Sequence, residues 1–146
     1  MMRPEDQRYD ASLKAMQKVG AVIISNRKVM VVRKKNEKQS ECIMPGGRME
    51  EGETQYECLV RELNEELKVD VGECEFVGTY RDIAVFEGVP LVIHAYHVEI
   101  KGTPRPSSEI KEYIWINTEF PASGLRVASI MARKVMPEMK RRGLID

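Results

Sequence analysis

Residues 47–69 read GRMEEGETQYECLVRELNEELKV, and this stretch decides the fold. Thr54 followed three residues later by Glu57 has the spacing of a capping box, which starts a helix at Gln55. At about 100° per residue, Tyr56, Leu59, Val60, Leu63 and Leu67 fall on one apolar stripe, with Glu62, Glu65 and Glu66 together on its flank. Like charges one turn apart repel, at a cost of roughly a few tenths of a kcal/mol per pair. A helix that only had to be soluble would more often alternate acid with base. Three carboxylates beside a buried stripe are better explained by a hard divalent cation that cancels their repulsion.

The residues before the helix fit the same reading. Pro45-Gly46-Gly47 offers a turn whose backbone can approach a ligand or ion closely. Glu53 sits just before the cap. Arg61 adjoins Glu62 in sequence but points elsewhere on the helix, so it is expected to orient the loop rather than pair with its neighbour. The bland alternative is a solvated acidic face preceded by an ordinary turn. For any one of these acids alone, that alternative is the commoner outcome.

Composition removes several function classes. The chain has 146 residues, enough for one domain with its own core. Its 23 basic residues balance 23 acidic ones, so no global basic field argues for a nucleic-acid or membrane partner. Cys42, Cys58 and Cys74 are odd in number and lack CxxC spacing. They are expected to be reduced thiols in a cytoplasmic protein, not a disulfide framework or a zinc site. No apolar run approaches the roughly 20 residues of a membrane span. The opening MMRPEDQRYD is too polar for a signal peptide.

Outward from the helix, periodicity gives a strand-rich chain. Residues 4–18 read as a short leading helix or strand lead-in. Residues 19–25 (VGAVIIS) form a buried strand, Asn26-Arg27 a turn, and residues 28–33 a returning strand. Residues 34–40 are a charged loop, and 42–44 a short strand that delivers Pro45. After the helix, 75–82 and 83–86 are strand material, Gly88-Val89-Pro90 a turn, and 91–101 a clear strand. A loop over 102–108 leads to a strand over 110–117. Phe120-Pro121 breaks it, and residues 125–142 form a C-terminal helix divided at Pro137. A mixed sheet with a helix on each side follows, an α/β architecture. His94 and His97 are opposite in strand phase and cannot act as a pair on one face.

Taken whole, the spacing of Gly47, Glu53, Arg61, Glu62, Leu63, Glu65, Glu66 and Val69 resembles the signature of the Nudix hydrolase family. One position departs from it: Lys68 stands where the signature has its last glycine. Either Lys68 takes a left-handed helix exit at about 1 kcal/mol, or the helix runs about one residue longer. Neither outcome touches the carboxylates.

The resemblance implies an α/β/α sandwich with a mixed β-sheet and a site built on the signature helix. Glu65 and Glu66 would hold Mg²⁺ (or Mn²⁺), with Glu62 as ligand or base and the Gly47 carbonyl assisting. Glu53 and Arg61 would brace the loop. An acidic residue before the strand that carries Trp115 would join the site; Glu109 is the candidate, because Glu112 falls nearer the strand. Arg33 and Lys34, at the end of the second strand, and Arg48 are candidates for substrate phosphate. Residues 115–130 (WINTEFPASGLRVASI) look like the close of the MutT-like branch, which cleaves nucleoside triphosphates. Ser123-Gly124 replaces the asparagine that reads the purine there. Residues 84–87 lack the proline or tyrosine of the ADP-ribose and dinucleoside polyphosphate branches. The expected activity is metal-dependent hydrolysis of a nucleoside diphosphate linked to another moiety, chiefly a triphosphate to monophosphate plus pyrophosphate. ADP-ribose or nucleotide-sugar hydrolysis, and a non-catalytic nucleotide sensor, are the alternatives. A small-molecule nucleotide is the expected partner, with homodimerisation left open.

Overall fold

The structure, a computed structural model, describes residues 1–35, 41–84 and 88–146. Most of the expected 34–40 loop and the end of the 84–87 window lie outside the described residues.

Among the described residues, seven strands form two sheets. The first has the order β4-β1-β6-β5 and contains β1 (Met16–Val22), β4 (Gly46–Arg48), β5 (Asp70–Ala84) and β6 (Val89–Lys101). In it β1 and β6 run parallel while the other pairs are antiparallel, so it is mixed as expected. The second sheet is antiparallel, in the order β2-β3-β7, with β2 (Ile24–Ser25), β3 (Lys28–Lys34) and β7 (Ile110–Ile116). The apolar run 19–25 therefore serves both sheets. Its strand opens earlier than expected, at Met16, and the chain changes sheet at Ile23, whose carbonyl accepts from Met30 N–H. Asn26 and Arg27 have φ of 50° and 62°. Two left-handed residues in a two-residue loop make a type I′ turn, whose twist matches the flanking strands.

The sheets are covered on both sides. Helix α1 (Gln55–Leu67) sends Leu59, Leu63 and Leu67 against Val19, Met30, Val32, Tyr96 and Val98. Full burial of each leucine is worth about 1.5–3 kcal/mol. The C-terminal helix packs Met131, Val135, Met136 and Met139 against Val22, Val29, Val31 and Ala95. Along β3, Met30 and Val32 face the first cluster while Val29 and Val31 face the second. That alternation follows from the two-residue period of a strand. The result is the expected α/β/α sandwich.

Several boundaries differ from the sequence reading. Residues 42–44 form only isolated bridges, Cys42 to Val127 and Ile43 to Val32. The strand lies instead at Gly46–Arg48, in the glycine turn itself. Strand β5 begins at Asp70, and register shifts after Val71 and Phe76 interrupt the alternation that marks a strand in sequence. Val89 and Pro90 belong to β6, not to the turn. Pairing with β1 starts only at Leu91, so Pro90 lies where β6 is paired on one side. Residues 125–128 are not helical. Cys42 N–H donates to the Arg126 carbonyl and Ala128 N–H to the Cys42 carbonyl. The helix that follows contains a π-turn, Met131–Val135, before α2 (Met136–Arg141). Pro137 falls in the first turn of α2, where its missing N–H costs little.

The leading segment makes one 3₁₀ turn, Pro4–Asp6. It then fastens to the signature loop through Tyr9 N–H to the Glu53 carbonyl and Gln55 N–H to the Gln7 carbonyl, both at 2.8 Å. Among the described residues no helix is long and apolar enough to cross a membrane.

Candidate active site

Helix α1 starts as its sequence dictates. Thr54 caps it, accepting from Glu57 N–H at 3.0 Å, and the Glu57 carboxylate accepts from Thr54 N–H at 3.0 Å. At the other end Lys68 is left-handed, with φ 56° and ψ 40°, and its N–H reaches the Asn64 carbonyl. The first of the two outcomes for Lys68 holds.

The buried stripe is rotated from the one expected. Tyr56 is 40 % exposed and Val60 only partly buried, whereas Gln55, Cys58 and Glu66 lie inside. Polar partners make this rotation tolerable. Gln55 accepts the Tyr96 hydroxyl at 2.6 Å, and the Cys58 thiol lies 3.6 Å from the Gly47 carbonyl. Glu66 thereby moves from the flank to the interior and is 2 % exposed.

The glycine turn fits against these carboxylates. Gly46 has φ 132°, and its N–H donates to Glu66 Oε1 at 3.0 Å. A Cβ on Gly47 would lie 2.5 Å from the Glu62 carboxyl carbon, so only glycine leaves room for that side chain. Arg61 holds the loop from the other side. Its Nε and Nη2 grip both oxygens of Glu53, at 2.7 and 3.0 Å, and Nη2 also reaches the Arg48 carbonyl at 2.9 Å. This is the bidentate geometry in which guanidinium and carboxylate bind best. Contrary to expectation, Arg61 also pairs with its neighbour, Nη1 donating to Glu62 Oε1 at 2.8 Å. Adjacent residues diverge at the backbone, but a guanidinium is long enough to bring its fork back. Glu65 is half exposed, 3.6 Å from the same Nη1.

Glu109 arrives by a different route. The carbonyls left open at the end of α1 are taken by the loop after β6, through Arg105 N–H to Leu67 and Ser107 N–H to Glu66. That anchoring sets Glu109 in the turn just before β7, with its carboxylate 3.5 Å from Lys34 Nζ. Glu112 lies within β7 and pairs with Arg33 at 3.8 Å.

Electrostatics separates the acids. The Arg61 fork holds the Glu53 carboxyl below the usual range. Burial raises that of Glu62 against the pull of Arg61, with the charges of Glu65 and Glu109 adding to the rise. Burial pushes Glu66 up to about 8, again with Glu62 and Glu109 contributing. Glu66 Oε2 is buried and has no hydrogen-bond partner among the described residues. An orphaned carboxylate oxygen among like charges is a costly arrangement, and a hard cation would relieve it. The donors are all oxygen, as Mg²⁺ or Mn²⁺ prefers. Among the described residues no three acidic, histidine or cysteine side chains gather into a group that could hold a metal ion by itself. Mg²⁺ does not require one, since it keeps waters and takes substrate oxygens as ligands.

A cavity of about 400 Å³ opens beside this turn. Glu62, Glu109, Gly47, Lys18, Lys34 and Arg48 line its polar side. Arg33 is not on its wall. The remaining wall is apolar, formed by Gly20, Ile43, Met44, Leu91, Ile93, Ala128, Ile130 and Met131. Sequence reading places the nucleoside pocket between residues 19–33 and the segment around 120–125. Gly20 is on this wall but no residue of 120–125 is, and Lys18 and the other contributing segments are far apart in the chain and carry no local motif. The histidines lie elsewhere: His94 Nδ1 bonds Thr79 Oγ1 at 2.9 Å, and His97 sits opposite Glu75.

Known proteins resemble this chain in sequence and in fold. The family model for the NUDIX domain matches residues 14–132. A CTP pyrophosphohydrolase of Escherichia coli (strain K12) is 28 % identical over 111 residues, covering 73 % of this chain and 79 % of its own. The solution structure of the E. coli ORF135 protein is similar at 27 % identity and a TM-score of 0.71, covering 92 % of this chain and 95 % of that one. A NUDIX hydrolase from Nitrosomonas europaea shares the fold, with a TM-score of 0.74 at 18 % identity over 90 % and 92 % of the two chains. A family match that runs from the approach to β1 into the C-terminal helix carries the whole sandwich with it, and the chain belongs to the Nudix family of hydrolases.

Proposed function

We propose that the protein hydrolyses a nucleoside triphosphate to the monophosphate and pyrophosphate, with Mg²⁺ or Mn²⁺ as cofactor. The observation that carries this reading is the buried, partnerless oxygen of Glu66 beside a cavity lined by both carboxylates and bases. Lys18, Lys34 and Arg48 supply the positive charge a polyphosphate requires. Glu62, Glu65, Glu66, Glu109 and the Gly47 carbonyl would hold the metal. When bound, the metal neutralises phosphate charge and makes its water more acidic. Phosphoryl transfer then depends mostly on positioning and charge stabilisation. The Glu53–Arg61 fork supplies positioning by fixing the loop that carries Gly47 and Arg48. Burial keeps the Glu62 carboxyl above the usual range, which suits a group that accepts a proton from water. Free thiols at Cys42, Cys58 and Cys74 support a cytoplasmic location.

The CTP pyrophosphohydrolase relative makes CTP the first substrate to try. A panel of triphosphates, ADP-ribose and nucleotide sugars, assayed with Mg²⁺ for phosphate and pyrophosphate, tests the proposal. The expected result is pyrophosphate from a triphosphate and no activity after chelation. Preference for ADP-ribose over every triphosphate would contradict it.

A further inference from the structure

Among the described residues, the apolar wall of the cavity contains no side chain that forms a strong hydrogen bond. Ile43, Met44, Leu91, Ile93, Ile130 and Met131 are aliphatic or thioether, and no aromatic ring stands among them. All but Ile43 belong to the cluster beneath the C-terminal helix, so this wall is continuous with packed core. Met44 lies over Gly20 so closely that a Cβ there would collide with its Sδ, and would stand 3.3 Å from Ile93 Cγ2. Gly20 is not left-handed. Its missing side chain is a matter of space: it lets the Met44 thioether lie flat against β1.

A polar site rejects a ligand lacking the matching group by leaving its own groups unpaired. An apolar pocket has no such means and sorts by size, with about 10–200-fold per methylene-sized change. A cavity of about 400 Å³ lies in the lower part of the range for ligand sites. The geometry points to Met44, seated on Gly20, as the gauge that selects the nucleobase by size: the site takes pyrimidine nucleotides over purine ones and separates cytosine from uracil only weakly. This rests on the reading of the cavity as a nucleotide site.

The test compares kcat/KM for CTP, UTP and GTP with Mg²⁺ in the wild type and three variants. In the wild type, CTP and UTP should agree within about tenfold, with GTP poorer by at least about tenfold. Met44→Ala enlarges the cavity and should close the pyrimidine–purine gap by about tenfold, chiefly through KM. Met44→Leu keeps the volume and should keep the gap. Gly20→Ala pushes the thioether into the cavity and should raise KM for all three, provided circular dichroism shows it folded; if it is not folded, the two Met44 variants decide. A wild-type preference for CTP over UTP beyond about hundredfold would overturn the inference while leaving triphosphate hydrolysis intact. So would Met44→Ala changing CTP and GTP equally. Absence of turnover on any triphosphate would overturn the proposed function and this inference together.

Discussion

The two walls of the cavity are built in opposite ways. On the polar side, Gly46, Gly47, Arg48 and Glu62 come from one unbroken stretch, braced by Glu53, Arg61 and Glu66 behind it, with contacts set by a capping box and one helical period, and only Lys18, Lys34 and Glu109 join from elsewhere. On the apolar side, Gly20, Met44, Leu91 and Met131 come from four distant segments that meet only when both sheets and the C-terminal helix have assembled. The polar wall is costly to fold, because it buries a carboxylate with an orphan oxygen. The apolar wall is an extension of the core. Charge that weakens the fold is concentrated where a cation and a polyphosphate would offset it, and tuning of the substrate would fall to residues that also stabilise.

The sharpest way to break this contrast is Glu66→Gln. A glutamine keeps an oxygen for Gly46 N–H but loses the charge. Turnover is expected to fall by orders of magnitude, by about 10²-fold or more, while the metal-free protein melts no lower than wild type. Turnover unaffected by either the substitution or a chelator would remove the metal from the account.

The same residue sets a pH dependence. The Glu66 carboxyl is raised from an ordinary 4.5 to about 8 in the folded state. Between those values the unfolded chain has lost a proton that the folded chain still holds. The stability contributed by protonated Glu66 is thus fully present below 4.5 and lost as pH rises through about 8. Metal-free protein should lose denaturant resistance across that window, and Mg²⁺ should restore it at the alkaline end. Glu66→Gln should flatten the slope. A wild-type profile as flat as the variant's would show that burial does not strain this group.

The smallest effect belongs to Lys68, at the edge of the polar wall. With φ 56° it pays for a conformation that glycine adopts freely. Lys68→Gly is expected to stabilise the fold by up to about 1 kcal/mol, with little change in turnover. A lower melting temperature would mean that the side chain matters more than the backbone.

The contrast also explains what could be read in advance. The cap at Thr54, the helix start at Gln55, the Glu53–Arg61 brace and the presence of Glu109 beside the helix were legible because each follows from local spacing or from the family resemblance. The helix stripe was misplaced because Gln55 and Cys58 find polar partners, Tyr96 and Gly47, that no local pattern announces. The reach of Arg61 back to Glu62 was missed because backbone direction says little about a long flexible side chain. The strand over 42–44 and the early C-terminal helix failed for one reason: Cys42 and residues 126–128 satisfy each other's backbone groups across a long sequence separation. Bulges hid the start of β5 in the same way.

The central claim is that the signature carboxylates direct water to a triphosphate chain held by its nucleoside end. Hydrolysis in water enriched in the heavy oxygen isotope, read by mass spectrometry, tests it most directly. With the base seated against the apolar wall, attack falls on the β-phosphorus, and the label is expected in pyrophosphate. Label in the nucleoside monophosphate would mean attack at the α-phosphorus and would contradict this placement of the substrate.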